Sequence, residues 1–324
     1  MKGVSVILCC YNSSQRLPKT LEYLSKQQFP AFLTWEVVVV DNNSTDETGN
    51  VAVDTWRRLN VETPLVLTFE GAPGLSHARK KGAEMAKYEY LIFCDDDNWL
   101  FDNYVAQAYQ TLSSNEKIGV VGGEGFPVAD IEFPAWFSKR KRMYAVGDQE
   151  GNARVNVVYG AGMVLRRSIF HKIYDQLPPL TPDRVGKKLI GGGDDEICYR
   201  FKILGFDIFF DHQLKFYHYI PAARLTEQYT YGISSGSGYS KMLLMPYFYF
   251  FNKDHSYYAK LKYLWIKEFF YLLKELASSR DKHRMIHLLG SMSMILKYRS
   301  EYDKMVLSIY ETFKGNVSLK DRSV

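Results

Sequence analysis

Tyr90–Leu100 reads YLIFCDDDNWL, and its two halves obey different physics. Leu91, Ile92, Phe93 and Cys94 make an apolar run whose length suits a buried strand. The run stops at consecutive carboxylates, Asp95, Asp96 and Asp97. Adjacent acids repel one another, so their place at the end of an apolar strand gains little unless a cation or a set of donors faces them. In an open α/β sheet, ligands bind in the crevice outside the carboxyl ends of the strands. The competing reading is a solvated turn, because Asp and Asn are common turn formers and Asn98 follows. The flanking segments bear on the choice.

Upstream, Val4–Cys10 is a continuous apolar run of the kind covered on both faces, ending at Tyr11, Asn12, Ser13 and Ser14. Pro18 suits a first helical position and opens a helix over Lys19–Gln28. Trp35–Val40 is a second strand, ending at Asp41, and the Ser44 and Glu47 spacing predicts a capping box starting a helix to about Leu59. Pro64–Phe69 reads as a third strand. Gly71, Pro73 and Gly74 then turn the chain into a helix over Leu75–Lys87. Strand and helix alternate with short connections, which predicts a parallel, doubly wound sheet. No GxGxxG follows the first strand and no GxxxxGK occurs anywhere, so side chains and a metal must hold the phosphates of any bound nucleotide.

Downstream, a helix over Phe101–Ser113 and a strand over Ile118–Gly123 precede a stretch, Glu124–Asn152, without clear periodicity. Its basic run, Lys139–Arg142, is either a solvated face or a phosphate or anionic-lipid contact. Tyr159–Arg167 reads as a glycine turn entering a short strand. Gly191, Gly192 and Gly193 lead into Asp194, Asp195 and Glu196, then a helical stretch, Ile197–Leu204. Acids in a first helical turn suit the helix dipole, which is reason enough for them. A carboxylate at the mouth of the sheet is also a candidate general base. Strands are expected over Phe206–Phe210 and Leu214–Ile220, the second carrying His218 close to Pro221 and Arg224. Beyond about Thr226 the chain turns aromatic. Ala259–Ala277 has helical periodicity, with Lys260, Lys267 and Lys274 on one side and Leu261, Trp265, Phe269, Leu272 and Leu276 on the other arc. Such a helix packs on the domain or lies in a membrane interface.

At 324 residues, 46% hydrophobic and 24% charged, the chain can bury a sizeable core and is not broadly disordered. A net charge of +5 does not argue for nucleic acid. Cys9, Cys10, Cys94 and Cys198 lack metal-type spacing, and the first three, at strand ends, read as buried thiols of a reducing compartment. Without a signal peptide or a run of about 18 apolar residues, a cytoplasmic protein is expected, with peripheral membrane contact left open.

Taken in order and spacing, VSVILCCYN, VVVVDNNSTDET and GLSHARKKGAEMAKYEYLIFCDDDN resemble the nucleotide-binding half of glycosyltransferase family 2, and GGGDDEICYRFKILGFDIFF and FYHYIPAARLT its acceptor half. The resemblance covers roughly residues 4 to 229. It implies a GT-A-type, Rossmann-like mixed sheet flanked by helices, with an aromatic-rich helical C-terminal extension. Residues 1–123 then form the nucleotide-sugar-binding half, 124–229 the acceptor-binding and catalytic half, and 230–324 a mainly helical region. Carried over by position, Tyr11 matches the aromatic that stacks on the base, with Asn12 beside it. Asp41 matches the acid on base or ribose, with Asn43 close by, and Arg79 the basic residue near the diphosphate. Asp95 and Asp96 fall in the donor-binding element. Asp97, with Asp95 and His218, falls where Mg²⁺ or Mn²⁺ bridges the diphosphate. An inverting displacement needs one carboxylate as base. The family's acidic motif aligns in one register with Asp194 at the base and in another with Asp195, and the first puts Gly193 where the family usually has Glu. The implied partners are a nucleoside-diphosphate sugar and a glycan or lipid-linked acceptor, commonly in cell-envelope polysaccharide synthesis. A non-catalytic nucleotide-sugar-binding or membrane scaffold relative is the alternative, and survival of both acidic clusters argues against it. A phosphatase would need a nucleophilic Asp where the first strand ends in Cys-Cys-Tyr-Asn.

Overall fold

The computed structural model describes residues 1–149, 153–181, 183–184 and 189–315. The chain opens as β1 (Val4–Cys10), α1 (Leu17–Ser25), β2 (Trp35–Asp41), α2 (Thr48–Leu59), β3 (Leu65–Phe69), α3 (Leu75–Met85) and β4 (Tyr90–Asp95). There follow β5 (Asn98–Leu100), α4 (Tyr104–Ser114), β6 (Ile118–Val128), α5 (Phe137–Arg140), β7 (Ala153–Val155), β8 (Met163–Arg166), α6 (Arg167–Gln176), α7 (Gly193–Ile203) and β9 (Asp207–Tyr219). The rest is helical: α8 (Glu227–Asn252), α9 (His255–Ala259), α10 (Leu264–Ser278), α11 (Lys282–Tyr298) and α12 (Tyr302–Phe313).

Among the described residues the strands form one sheet in the order β3-β2-β1-β4-β8-β6-β9-β5, with β7 added to β9. β1 to β4 run parallel, as the alternating pattern predicts. β8 is antiparallel to both β4 and β6, so the sheet is mixed rather than uniformly parallel. β9 runs parallel to β6 and hence to β4, which brings its carboxyl end, with His218, to the same edge as Asp95. Successive strand residues point to opposite faces. Val6, Leu8, Val37 and Ile92 therefore share one core with α1, α2 and α4, while Ile7, Val38, Leu91 and Phe93 share another with α3, α6 and α7.

Several local expectations yield to tertiary contacts. Ser44 caps no helix: its Oγ accepts from Asn12 N at 3.0 Å, which ties the loop after β1 to the loop after β2, and α2 begins at Thr48. The two expected strands around Asp211 are one, because α4 satisfies that mid-strand acid through Thr111 Oγ1 at 2.7 Å and Gln107 Nε2 at 2.9 Å. β6 continues past Gly123, where a Cβ would lie 2.2 Å from the Leu214 carbonyl oxygen, so only glycine keeps the two strands this close.

The C-terminal helices share a core of their own, in which Tyr247, Phe250, Tyr302 and Phe313 are buried. α8 and α11 cross with their backbones nearly touching. A Cβ on Gly238 would stand 1.8 Å from the His287 carbonyl oxygen, and one on Gly290 2.1 Å from that of Ser235. α8 is joined to α7 by a buried network: Arg200 donates to Tyr247 Oη and to Glu196 Oε1, each at 2.7 Å, and Glu196 also accepts from the backbone of Leu180 and Thr181. The expected arc of Leu261, Trp265, Phe269, Leu272 and Leu276 packs into this core. Among the described residues no helix is long and apolar enough to cross a membrane.

Candidate active site

The carboxyl ends of β1, β4 and β9 and the start of α7 enclose a cavity of about 580 Å³. Tyr11, 51% exposed, stands on its rim with its ring free to stack. Asn12 shapes the entrance instead of lining it: at φ 49° its Oδ1 accepts from Thr45 N at 2.8 Å. Asp41 accepts from Ser44 N at 2.9 Å, and neither it nor the exposed Asn43 lines the cavity. The buried neighbour Asn42 does, and holds the turn before α3 by accepting from Gly74 N at 2.9 Å.

The acidic triplet divides into three environments. Asp96 points back into the protein, bonded to Ser13 Oγ and to Arg16 Nη2, the latter at 2.6 Å, while its carbonyl accepts from Thr20 Oγ1 at 2.7 Å. Asp97 faces the end of β9 and the turn after it: Arg224 Nη1 lies 2.9 Å from Oδ2 and His218 Nε2 3.5 Å from Oδ1. Asp95 has no hydrogen-bond donor on its carboxylate among the described residues. Burial, then the Asp97 charge, push it up to about 6 against the pull of Arg79 and His218. Among the described residues no three His, Cys, Asp or Glu side chains gather closely enough to hold a metal ion by themselves. The donor set here is two carboxylates and an imidazole whose Nδ1 is buried without a partner. That chemistry suits a hard divalent ion which takes its remaining oxygens from ligand and water.

Across the cavity Arg79, buried in α3, lies where Asp183, Asp95 and Asp194 converge; burial disfavours its charge, but these acids outweigh burial and raise its pKa. Asp183 Oδ2 lies 3.4 Å from Arg79 Nη1 and occupies the space a side chain at Gly193 would need, 2.3 Å from its Cβ position. Gly160 is small for a similar reason: its Cβ would meet Arg79 Nη2 at 2.5 Å. The Asp194 carboxylate enters the same cavity, fixed by Gly160 N at 2.9 Å and Asp195 N at 3.1 Å. Asp195 turns away from it, and burial, then the Asp194 and Asp183 charges, push its carboxyl up to about 8. Arg16 and Asp183, which sequence reasoning missed, have no motif around them; Arg224 had only its nearness to His218 at a strand end.

A mixed sheet with an acidic cluster at its carboxyl edge, facing a second carboxylate across one cavity, is the GT-A architecture of glycosyltransferases. The sequence profile of glycosyl transferase family 2 matches residues 5–174, and the chain belongs to that family. It is 31% identical over 133 residues to poly(ribitol-phosphate) beta-N-acetylglucosaminyltransferase TarS of Staphylococcus aureus, a match covering 39% of this chain and 23% of that protein. The chain thus spans about a quarter of the length of that relative. The amylovoran biosynthesis glycosyltransferase AmsB of Erwinia amylovora is 28% identical over 214 residues, covering 64% of this chain and 66% of AmsB. The crystal structure of residues 1–349 of S. aureus TarS in complex with UDP-GlcNAc shares the fold, with a TM-score of 0.51 at 17% identity over 93% of this chain and 92% of that one.

Proposed function

We propose that the chain is an inverting glycosyltransferase that moves a sugar from a nucleoside-diphosphate sugar to a hydroxyl of a glycan or lipid-linked acceptor in cell-envelope polysaccharide synthesis. One observation carries this reading: the Asp194 carboxylate stands in the same cavity as Asp95, Asp97 and Arg79. Tyr11 stacks on the base, and Arg79 and Arg224 face the diphosphate. Asp194 takes the acceptor hydroxyl's proton while that oxygen bonds to the anomeric carbon. The bond from that carbon to the diphosphate breaks, and its electron pair leaves with the nucleoside diphosphate. Asp97, with Asp95 and His218, would hold Mg²⁺ or Mn²⁺, which would supply Lewis-acid stabilisation of the leaving diphosphate.

The printed ligands of the TarS complexes make UDP the first nucleotide to test. A thermal-shift panel of UDP, GDP, CDP and dTDP, each with and without Mn²⁺, tests the reading. A ligand at about 100 times its Kd adds about 2.7 kcal/mol of stability. The expected result is stabilisation by one nucleotide, enhanced by metal; no stabilisation of folded protein by any of them overturns the donor site. Peripheral membrane contact is supported by the outward arc of α10, where Ile266, Phe270, Tyr271 and Leu273 are exposed among Lys267 and Lys274.

A further inference from the structure

We infer that the groove bounded by α7, α8 and α11 binds an acceptor carrying a phosphodiester and presents a hydroxyl beside that phosphate to Asp194. The inference rests on the reading of Asp194 as the base and adds the chemical class of the acceptor.

Asp194 stands where two spaces meet, since Arg184, Gly191, Gly192 and Ile233 line both the donor cavity and the outer groove. It lines the donor cavity on one side and, on the other, an outer cavity of about 510 Å³ that runs into a second of about 400 Å³. Asp195, Ile233, Ser237 and His287 are common to the two outer lobes, which makes them one groove. With the donor occupying the inner cavity, the acceptor hydroxyl reaches Asp194 from this outer side.

The groove wall is basic, and its charges come from separate parts of the chain. Arg142 follows α5, Arg184 precedes α7, Lys241 projects from α8, and His283, Arg284 and His287 from α11. A solvated charge run comes from one exposed segment; here distant segments converge on one groove. The opposing acids are Asp194 and Asp195, Glu275, which pairs with Arg284, and Glu227 and Asp281, whose charges act on His283 against those of Arg140 and Lys282. Asp195 subtracts little at neutral pH, since its carboxyl is pushed up to about 8. The His283 Nδ1 lies 2.9 Å from Ser234 Oγ, whereas its Nε2 is buried without a partner. Burial, then Lys241, lower the pKa of His287 against a hydrogen bond with the Ser234 backbone, and an anion beside Lys241 would offset that cation's share. A neutral glycan offers these groups no charge. A phosphodiester supplies anionic oxygens to guanidinium, ammonium and imidazole at once.

The test uses the full chain and the imidazole signals of His283 and His287, assigned by His283→Gln and His287→Gln, with folding of each variant checked by circular dichroism. The probes are a soluble glycerol phosphate oligomer, a neutral dextran oligomer, and phosphatidylglycerol vesicles. The expected result is that the glycerol phosphate oligomer shifts both signals and raises the pKa of His287 while dextran does neither. Lys241→Glu should weaken that binding about tenfold, as expected for reversing one exposed charge. No shift, an equal shift with dextran, or a shift with vesicles alone overturns the inference, the last in favour of a lipid surface. Failure of UDP to stabilise the wild-type chain counts against the donor reading instead, and leaves the imidazole result to be judged separately.

Discussion

Asp194 and Asp195 are adjacent in sequence and unlike in surroundings, one held by two backbone amides at the donor cavity and the other turned toward the outer groove. Asp194→Asn should leave UDP affinity nearly unchanged in a thermal-shift titration while lowering turnover about 10²-fold or more. A comparable loss at Asp195→Asn alone would move the base by one residue. Asp195 makes a separate prediction about stability. Its carboxyl goes from an ordinary 3.8 to about 8 on folding, so between those values the folded chain keeps a proton the unfolded chain has released. Its contribution is therefore complete below pH 4 and is lost as pH rises through about 8. The melting temperature of Asp195→Asn should gain on wild type between pH 5 and pH 8.5, and a constant difference would refute the shift. Asp97→Ala should abolish the extra UDP stabilisation given by Mn²⁺, and an undiminished metal effect would exclude Asp97 as its ligand. The acids at both ends of this site were legible in sequence because strand ends and glycine turns announce them. Asp183 was not, since its place depends on Gly193 lacking a side chain, a fit between segments distant in space until the chain folds.

At the level of elements, period and punctuation gave β1 through β4 with α1 to α3 because each buried run is bounded by its own turn residues. They failed where a partner far along the chain decides, as at Ser44, Asp211 and Gly123. The Glu196–Arg200 pair illustrates the same limit. In sequence Glu196 is a third acid of a cluster, yet it is fully buried and joins α7 to the segment before it and to α8. Arg200→Met should destabilise the chain by about 3–5 kcal/mol, because it strands a buried carboxylate. Urea unfolding followed by circular dichroism measures this, and a loss under about 1 kcal/mol would show the pair to be dispensable.

Taken as a whole, the molecule gathers Asp95, Asp97 and Asp194 at the carboxyl edge of its sheet and walls the adjoining groove with its C-terminal helices. The same helices carry the exposed arc of α10. Replacing Phe270 and Leu273 by Ser should reduce flotation with phosphatidylglycerol vesicles severalfold without altering the melting temperature, since both side chains are exposed. Equal flotation would remove this face from any membrane contact. The seam between α8 and α11 has a consequence for how such a chain diversifies. At that crossing the helices meet backbone to backbone, through Gly238 and Gly290, and His287, which also lines the groove, joins the contact through its main chain, whereas Lys241, His283 and Arg284 stand apart from it. Selection can therefore rewrite Lys241, His283 and Arg284, and with them the charge of the groove, while the glycines that set the helix spacing stay fixed. Groove charge and helix spacing are thus inherited on different side chains of the same two helices.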